Sequence, residues 1–325
     1  MKTYKTIALP ILFLIFFTVE SCRKSNCPIP TSSLVSQYDL NKSIAAINTT
    51  NVATGFETVF SKTIFDSASR AQFSQSFVAA ARFYEDESGY FFIETLNGAW
   101  MVAHINTDLI GTQRYNISDI NGKYFIREMV EVVRYTGYGF VEYYRKNPIS
   151  GAIERKLSFV TSIPSAQWFI GSGFYGGPTY KYYEPIDANK LIIKEVTNTL
   201  SSGFSGVFQN FYTQPDDRIL FCRDFVDHIR FFDDGSGYFF INDLNGINIA
   251  NGEDAEHQGQ NDYDLKDTHG TYIIRDMIDI VKTKGSGYYE YYWTNPASGK
   301  EEVKIVYVVR IPNTEYFIGS GFYKN

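Results

Sequence analysis

The sequence has few of the residues from which catalytic and metal-binding sites are built. It contains three cysteines and four histidines in 325 residues. No His-Glu-x-x-His motif and no paired Cys-x-x-Cys motif provides the ligand spacing of a zinc site. A nucleophile elbow and a phosphate-binding P-loop are also absent. We therefore expect a protein that is not an enzyme and that holds no metal and no cofactor.

Positive charge is scarce as well. The formal net charge is -6, and no cluster of lysine and arginine follows the N-terminal segment. Because nucleic-acid backbones attract concentrated positive charge, we expect no nucleic-acid partner. The acidic stretch Glu253 to Asp267 lacks the spacing of an EF-hand, so we interpret it as a solvated loop and not as a calcium site.

Long apolar runs are missing too, and a short one stands near the N-terminus. The run Ile7 to Val19 is shorter than the roughly 18 residues of a membrane-spanning helix. It follows Lys2 and Lys5 and leads into Val-Glu-Ser-Cys, which ends at Cys22. This pattern is typical of a targeting segment and resembles the lipobox of bacterial lipoproteins, which implies that a lipid on Cys22 tethers the protein to a bilayer. An ordinary secretory signal or a short anchor helix is the alternative.

These features divide the N-terminal part of the chain. We assign residues 1–22 to a lipoprotein signal peptide and residues 23–35 to a tether. The protein is then expected in a bacterial cell envelope, lipid-anchored at the outer membrane or facing the periplasm. Cys27 lies in the tether and Cys222 in an apolar helical pattern, so we favour two unpaired thiols over one disulfide.

The chain is rich in aromatic residues and repeats itself. Its 25 tyrosines and 27 phenylalanines are residues that favour strands and line small-molecule pockets. The stretch RFYEDESGYFFIETLNG at Arg82 returns as RFFDDGSGYFFINDLNG at Arg230, and WFIGSGFY returns as YFIGSGFY. The copies are offset by 148 positions and align without an insertion. We therefore predict a tandem duplication with domains at 36–176 and 184–325.

Each copy predicts the same order of elements. A long helical pattern, broken near its middle, precedes two short strands around Asn97-Gly98, a dipeptide that favours a tight hairpin turn. Phe125, Met129 and Val133 then mark one face of an amphipathic helix, and three strands complete the copy. Helices and antiparallel strands in this order predict an α+β domain.

Several motifs give the chain a family resemblance. They read SGYFFI, NGKYFIREM, GYGFVEYY, KLSFV and WFIGSGFY in the first copy, and related motifs recur in the second. In order and spacing they resemble the Cache domain in its single-Cache type 2 form, a PAS-like extracytoplasmic sensor module of bacteria. The resemblance implies two tandem domains, each a long N-terminal helix packed on a five- to six-stranded antiparallel sheet. It also implies a pocket for a small organic acid, an amino acid or a related metabolite.

Alternation of side chains along the strands selects the candidate aromatic residues of that pocket. Gly171 and Gly173 of the closing strand leave bare backbone that a ligand or side chain can approach. We predict that aromatic side chains line the pocket, and plain core packing is the alternative. Alternation gives Tyr90, Phe92 and Tyr143 in the first copy and Tyr238, Phe240, Tyr291 and Trp293 in the second, and Trp100 joins the first set as an aromatic residue that the second copy lacks.

Three basic positions join this set. Lys156 and Lys304 begin apolar strands, where a lone charge needs a partner. In light of the resemblance an ammonium group there suits a carboxylate ligand, and a solvated lysine at the strand end is the alternative. Arg145 shares a strand face with Tyr143.

His104 distinguishes the two copies. It ends the second strand, where the resemblance leads us to expect His-Pro, but Ile105 follows it. The aligned pair in the second copy is Gly252-Glu253, and Asn248 aligns with Trp100. We therefore favour the first copy as the ligand-binding one.

We expect a sensor-type lipoprotein that binds a small anionic metabolite without catalysis. No kinase, cyclase or chemotaxis domain follows the last predicted strand before Asn325. A separate transmembrane signalling or transport protein is therefore the expected partner. The alternative is a structural or adhesive surface lipoprotein, in which side chains fill the pockets and the fold is a scaffold for protein contacts.

Overall fold

Each half of the repeat folds into long helices and a five-stranded sheet. The structure is a computed structural model that describes residues 34–324. The first half contains β1 (Val35–Ser36), α1 (Gln37–Lys62), α2 (Ser67–Ala80), β2 (Phe91–Thr95), β3 (Met101–His104), α3 (Phe125–Thr136), β4 (Tyr138–Lys146), β5 (Ile153–Ile163) and β6 (Trp168–Tyr175). After β7 (Tyr182–Tyr183), the second half contains α4 (Pro185–Asn210), α5 (Pro215–Val226), β8 (Phe239–Asp243), β9 (Asn248–Asn251), α6 (Ile273–Lys284), β10 (Ser286–Thr294), β11 (Glu301–Arg310) and β12 (Tyr316–Tyr323).

The two sheets share one topology. Their strand orders are β3-β2-β6-β5-β4 and β9-β8-β12-β11-β10, and every neighbouring pair is antiparallel. The long helices cover one face of each sheet, and α3 or α6 covers the other. The predicted α+β architecture, with five strands in each sheet, is confirmed. The domain boundaries at 36–176 and 184–325 stay predictions.

Local sequence signals explain where the helices begin and end. The predicted break in the long helical pattern separates α1 from α2, and Asp66 caps α2 by accepting a hydrogen bond from the Ser69 backbone N–H at 2.8 Å. The apolar stripe of α3 is buried against the sheet. Gly137 ends α3 at φ 82°, a conformation that glycine adopts without steric cost, and its N–H donates to the Val133 carbonyl.

The helices of the two halves share one hydrophobic core. A β-carbon at Gly203 of α4 would lie 2.3 Å from the Phe77 ring of α2. The equivalent Gly55 of α1 stands in the same relation to Phe225 of α5, at 2.4 Å. The Phe77 and Phe225 rings stack on each other with centroids 5.8 Å apart. The duplicated halves therefore interlock reciprocally, and each glycine makes room for a phenylalanine of the other half.

One strand of the second half is shifted by a residue, which corrects the sequence alignment. Phe92 pairs with His104, whereas the equivalent Phe240 pairs with Asn251. The first hairpin uses two positive-φ residues, Gly98 and Ala99, and the second turns with Gly246. The alignment without an insertion is wrong here, because the second hairpin is one residue shorter and the loop after it is one residue longer.

The N-terminal predictions fall on residues that the structure does not describe. The signal peptide, Cys22 and Cys27 lie outside residues 34–324. Within those residues, no helix combines the length and the hydropathy needed to cross a bilayer.

Candidate functional site

In each half, the candidate pocket lies between the sheet and the short amphipathic helix. Because successive side chains of a strand point to opposite faces, Phe240 and Asn242 of β8 face α6, and so does Tyr238 just before the strand. The intervening residues Phe239 and Ile241 face the long helices instead and belong to the shared core. The same alternation in β2 directs Tyr90, Phe92 and Glu94 toward α3.

The second half contains a cavity of about 350 Å³ that opens to the surface. Slightly more than half of its lining residues are apolar or aromatic, and most of the others are amides and carboxylates. The lining residues are Tyr238, Phe240, Asn242, Asn248, Asn251, Glu253, Asp254, His257, Asp262, Leu265, Ile273, Ile274, Met277, Tyr291, Trp293, Thr294 and Pro296. This volume lies in the usual range of small-molecule sites.

The equivalent pocket of the first half is almost filled, at about 20 Å³. That volume holds about one water molecule. Phe125, which stands where the second half has Ile273, stacks on Tyr143 with ring centroids 4.2 Å apart and planes 3° apart. The preference for the first half as the ligand-binding one is therefore not supported by the available space.

Buried charges surround the small first pocket. The Arg114 Nε atom lies 3.4 Å from a carboxylate oxygen of Glu94, and both side chains are buried. Burial raises the pKa of Glu94 to about 8, although Arg114 opposes the shift. Burial, together with the positive charges of Lys156, Arg114 and Arg145, lowers the pKa of His104 to about 3. His104 is therefore a neutral imidazole, and its Nδ1 atom accepts a hydrogen bond from the Asn106 N–H at 2.8 Å.

The two predicted lysines lie beneath tyrosine rings. The Nζ atoms of Lys156 and Lys304 are each 3.7 Å from a ring centroid, of Tyr90 and Tyr238 respectively. Both lysines are fully buried, so the alternative of a solvated strand-end lysine is wrong. Among residues 34–324, neither Nζ atom has a hydrogen-bond partner. Burial lowers the pKa of Lys156 and brings the pKa of Lys304 well below its usual value.

Most predicted aromatic residues meet at the pockets, but one does not. Trp100 stands at the surface with about half of its side chain exposed, and its bridge partner is Gln113. Its structural equivalent is Ile247, because of the one-residue shift. The first pocket brings together Tyr90, Phe92, His104, Tyr143 and Arg145, and the second brings together Tyr238, Phe240, Tyr291 and Trp293.

Several polar residues of the pockets are missing from the sequence-based prediction. They lie on β2, on β8 and β9, and in the loops that follow these hairpins. Glu94 and Asn242 follow the period of two that selected Tyr90 and Tyr238, so alternation alone could have found them. Arg114 and its equivalent Asp262 enter from the loop, where no strand period applies. Asn248 was placed one residue out of register.

Comparison with known families decides the identity of the two halves. Residues 61–185 match the family described as single Cache domain 2, and residues 221–325 match a family described as Cache domain. The chain is a tandem Cache protein. Its two Cache domains are sensor modules of the kind that bind small molecules outside the cytoplasm, as the sequence motifs predicted.

Individual relatives of the tandem Cache protein cover parts of it. The sensor histidine kinase MctS of Rhizobium johnstonii is 33% identical over 87 residues, which are 27% of this chain and 19% of the kinase. The match thus spans about a fifth of that relative's length. A methyl-accepting chemotaxis protein of Vibrio parahaemolyticus is 25% identical over 42% of this chain and 90% of that structure, with a TM-score of 0.36. A periplasmic sensor domain of a chemotaxis protein is 27% identical over 43% and 95%, with a TM-score of 0.37.

Proposed function

We propose that this tandem Cache protein is a non-catalytic binding protein of a bacterial cell envelope, held to the membrane by a lipid on Cys22. It binds a small carboxylate or an amino-acid-like metabolite. It then passes the signal or the ligand to a separate transmembrane protein. The observation that carries the proposal is the cavity of about 350 Å³ between the sheet and α6 of the second domain.

The wall of this cavity has the composition of a small-molecule site. Tyr238, Phe240 and Met277 provide apolar surface, and a few polar groups converge on the same space. Asn242 is nearly fully buried, and both polar atoms of its side-chain amide lack a hydrogen-bond partner within residues 34–324. A buried amide without partners is costly, so a bound ligand or water that pairs with it stabilises the domain.

The carboxylate part of the proposal is supported by the first domain. Arg114 and Arg145 line its pocket, and Glu94 is the one acidic residue among the described residues lining it. This excess of positive charge suits an anion. With room for about one water molecule, the pocket admits a carboxylate only after the side chains that fill it rearrange.

The packed first pocket also favours the second candidate function, a protein-interaction scaffold, for the first domain. Its surface carries strongly exposed aromatic side chains, including Tyr135 at 87% and Tyr138 at 62%. Exposed aromatic residues beside a filled pocket are what a protein-docking role requires. The open cavity of the second domain does not fit that role.

A thermal-shift screen of the purified protein tests the proposed function. A ligand that prefers the native state raises the melting temperature, so a panel of small carboxylates and amino acids should contain stabilising compounds. Trp293→Ala should reduce the shift, because Trp293 lines the second cavity, whereas Trp100→Ala at the surface should not. Loss of the thermal shift in Lys156→Ala or His104→Ala would place the binding site in the first pocket. No stabilising compound in the whole panel would contradict the proposal and favour the scaffold.

A further inference from the structure

The two Cache pockets carry opposite charge at equivalent positions. Arg114 and Asp262 correspond, because the backbone N–H of each donates to the hairpin, to the Ala99 carbonyl at 2.9 Å and the Gly246 carbonyl at 2.8 Å. The second domain therefore has a carboxylate where the first has a guanidinium. Arg145 and Trp293 also correspond, two residues beyond the pocket tyrosine of β4 and β10. The second domain thus has the Trp293 ring where the first has the cation of Arg145.

The polar wall of the second cavity is acidic. Asp262 is buried, and Asp254 and Glu253 lie on the same wall with larger exposure. The ring nitrogens of His257 lie 3.4 Å from an Asp262 oxygen and 3.6 Å from an Asp254 oxygen. No lysine or arginine is found among the described residues that line the cavity. The carboxylates therefore dominate the electrostatic field of this space.

Among the buried amide atoms of this wall that lack a partner within residues 34–324, two are acceptors and one is a donor. The Asn248 Nδ2 atom donates to an Asp262 oxygen at 3.0 Å, which fixes the orientation of the amide. The Asn248 Oδ1 atom then has no partner within residues 34–324, and the Oδ1 and Nδ2 atoms of Asn242 have none either. Asn242 lies directly across from Asn248 in the β8–β9 pair, so the two amides are neighbours. Together with Asp262, they form a site that calls for N–H donors.

Aromatic rings complete this arrangement. Tyr291 and Trp293 both line the cavity, with ring centroids 6.1 Å apart and planes at 66°. The faces of such rings attract cations, and tryptophan attracts them most strongly. A cation that carries N–H donors can interact with all three kinds of group in this cavity, the carboxylate oxygens, the amide oxygens and the aromatic faces.

We propose that the second Cache domain binds its metabolite through a primary ammonium group, with Asp262 as the pairing carboxylate and Asn242 and Asn248 as further acceptors. A primary ammonium carries three N–H donors and one positive charge, which this set of groups satisfies. The rest of the ligand occupies the apolar part of the cavity beneath α6. This inference rests on the proposed function and narrows it, because it selects amino compounds over simple carboxylates for the second domain.

The buried Lys304 does not oppose an ammonium ligand. Its Nζ atom lies beneath the Tyr238 ring and is not part of the cavity wall. Burial also favours the uncharged form of this lysine. Arg230, another cation near the cavity, pairs with Glu253 at 3.1 Å.

Calorimetric titration of the purified protein with three probes of the same length tests this inference. The probes are n-butylammonium, n-butyrate and n-butanol, which contain four carbons each and differ in charge. We expect n-butylammonium to bind more tightly than the other two. Asp262→Asn should weaken its binding about tenfold or more, since a charge-assisted hydrogen bond is lost. Asp279→Asn on the exposed face of α6 removes the same charge outside the cavity and should leave binding unchanged.

Each outcome separates the inference from the proposed function. Binding of n-butyrate without n-butylammonium overturns the ammonium inference and leaves the proposed function standing. No binding of these probes or of amino acids and carboxylates overturns both. If Asp262→Asn fails to fold, as melting without ligand would reveal, Trp293→Leu replaces it, because loss of the ring should also weaken n-butylammonium selectively. Unchanged binding of n-butylammonium to a folded Trp293→Leu variant would contradict the inference.

Discussion

Phe77 of the first Cache domain packs against Gly203 of the second so closely that a β-carbon at Gly203 would lie 2.3 Å from the phenylalanine ring. The same contact exists in reverse between Phe225 and Gly55. The duplication is thus preserved in the packing as well as in the sequence. Because the two domains share these helices and one core, we expect them to unfold together.

The Phe77–Gly203 contact gives the first prediction. Gly203→Ala should lower the free energy of unfolding by about 1–3 kcal/mol through overpacking, although alanine favours a helix by up to about 1 kcal/mol. Urea denaturation measures the change, and Ser202→Ala at the neighbouring position is the control. Adding Phe77→Leu should restore part of the loss, and a double-mutant cycle quantifies the coupling. Strict additivity of the two changes would show that the contact is not tight.

Lys304 gives the second prediction, which concerns pH. Its native pKa is well below the usual value, while the unfolded chain titrates near 10.4, so between these values the unfolded state binds more protons. The free energy of unfolding should therefore rise with pH in that window, by up to about 1.4 kcal/mol per pH unit. Lys304→Met should reduce this rise, to which the buried Lys156 also contributes, and should be no less stable than the parent at pH 7, since an unpaired buried amine is costly.

Denaturation curves between pH 7 and pH 10 test the lysine prediction. The exposed Lys300→Met variant removes one charge from the same hairpin and should keep the parent's pH dependence. A loss of stability at pH 7 in Lys304→Met, with the pH dependence retained, would mean that the contact with the Tyr238 ring stabilises a charged lysine.

Glu94 gives a third prediction with the opposite sign. Its pKa is raised to about 8, whereas the unfolded carboxyl titrates near 4.3. Between about pH 4.3 and pH 8 the native state binds more protons, so this residue makes stability fall as pH rises. Glu94→Gln resembles the protonated form and should flatten that fall when unfolding is measured from pH 5 to pH 8.5. Glu131→Gln, on the exposed face of α3, should behave like the parent. If the free energy of unfolding of Glu94→Gln falls equally steeply with pH, the pKa of Glu94 is not raised.

The difference between the two pockets gives a fourth prediction. Ile273→Phe introduces the residue that stacks on Tyr143 in the first domain and should fill the second cavity in the same way. We expect ligand-induced stabilisation to disappear while the melting temperature without ligand stays equal or rises, because cavity filling adds contacts. Leu220→Phe enlarges an exposed side chain and should keep ligand binding. Unaltered ligand shifts in Ile273→Phe would place the binding site elsewhere.

The sequence predicted the fold well because periodic patterns govern it. The apolar stripe at Phe125, Met129 and Val133 and the alternation along Tyr90 and Phe92 each specify which face is buried. The repeat of Gly55 and Gly203 was visible, but its meaning depends on which helices cross, and that is a tertiary property. No local pattern reports a contact between residues so far apart in the chain.

The site was predicted in part, for similar reasons. Strand alternation found the pocket tyrosines Tyr90 and Tyr238, since each comes directly before a regular strand and continues its alternation. Trp100 lies outside the pocket, because the extra positive-φ residue Ala99 changes the register by one. The size of each cavity depends on how side chains pack between the sheet and the helix. The sequence alone does not give the strand register, so it does not give the cavity volume.

A crystal structure of the protein with the most stabilising compound of the screen tests whether the second Cache domain holds a small-molecule site. We expect electron density for the compound between β8, β10 and α6, in contact with Asp262 and Trp293. Density in the first pocket alone, or at a surface position with the second cavity unfilled, would contradict this expectation.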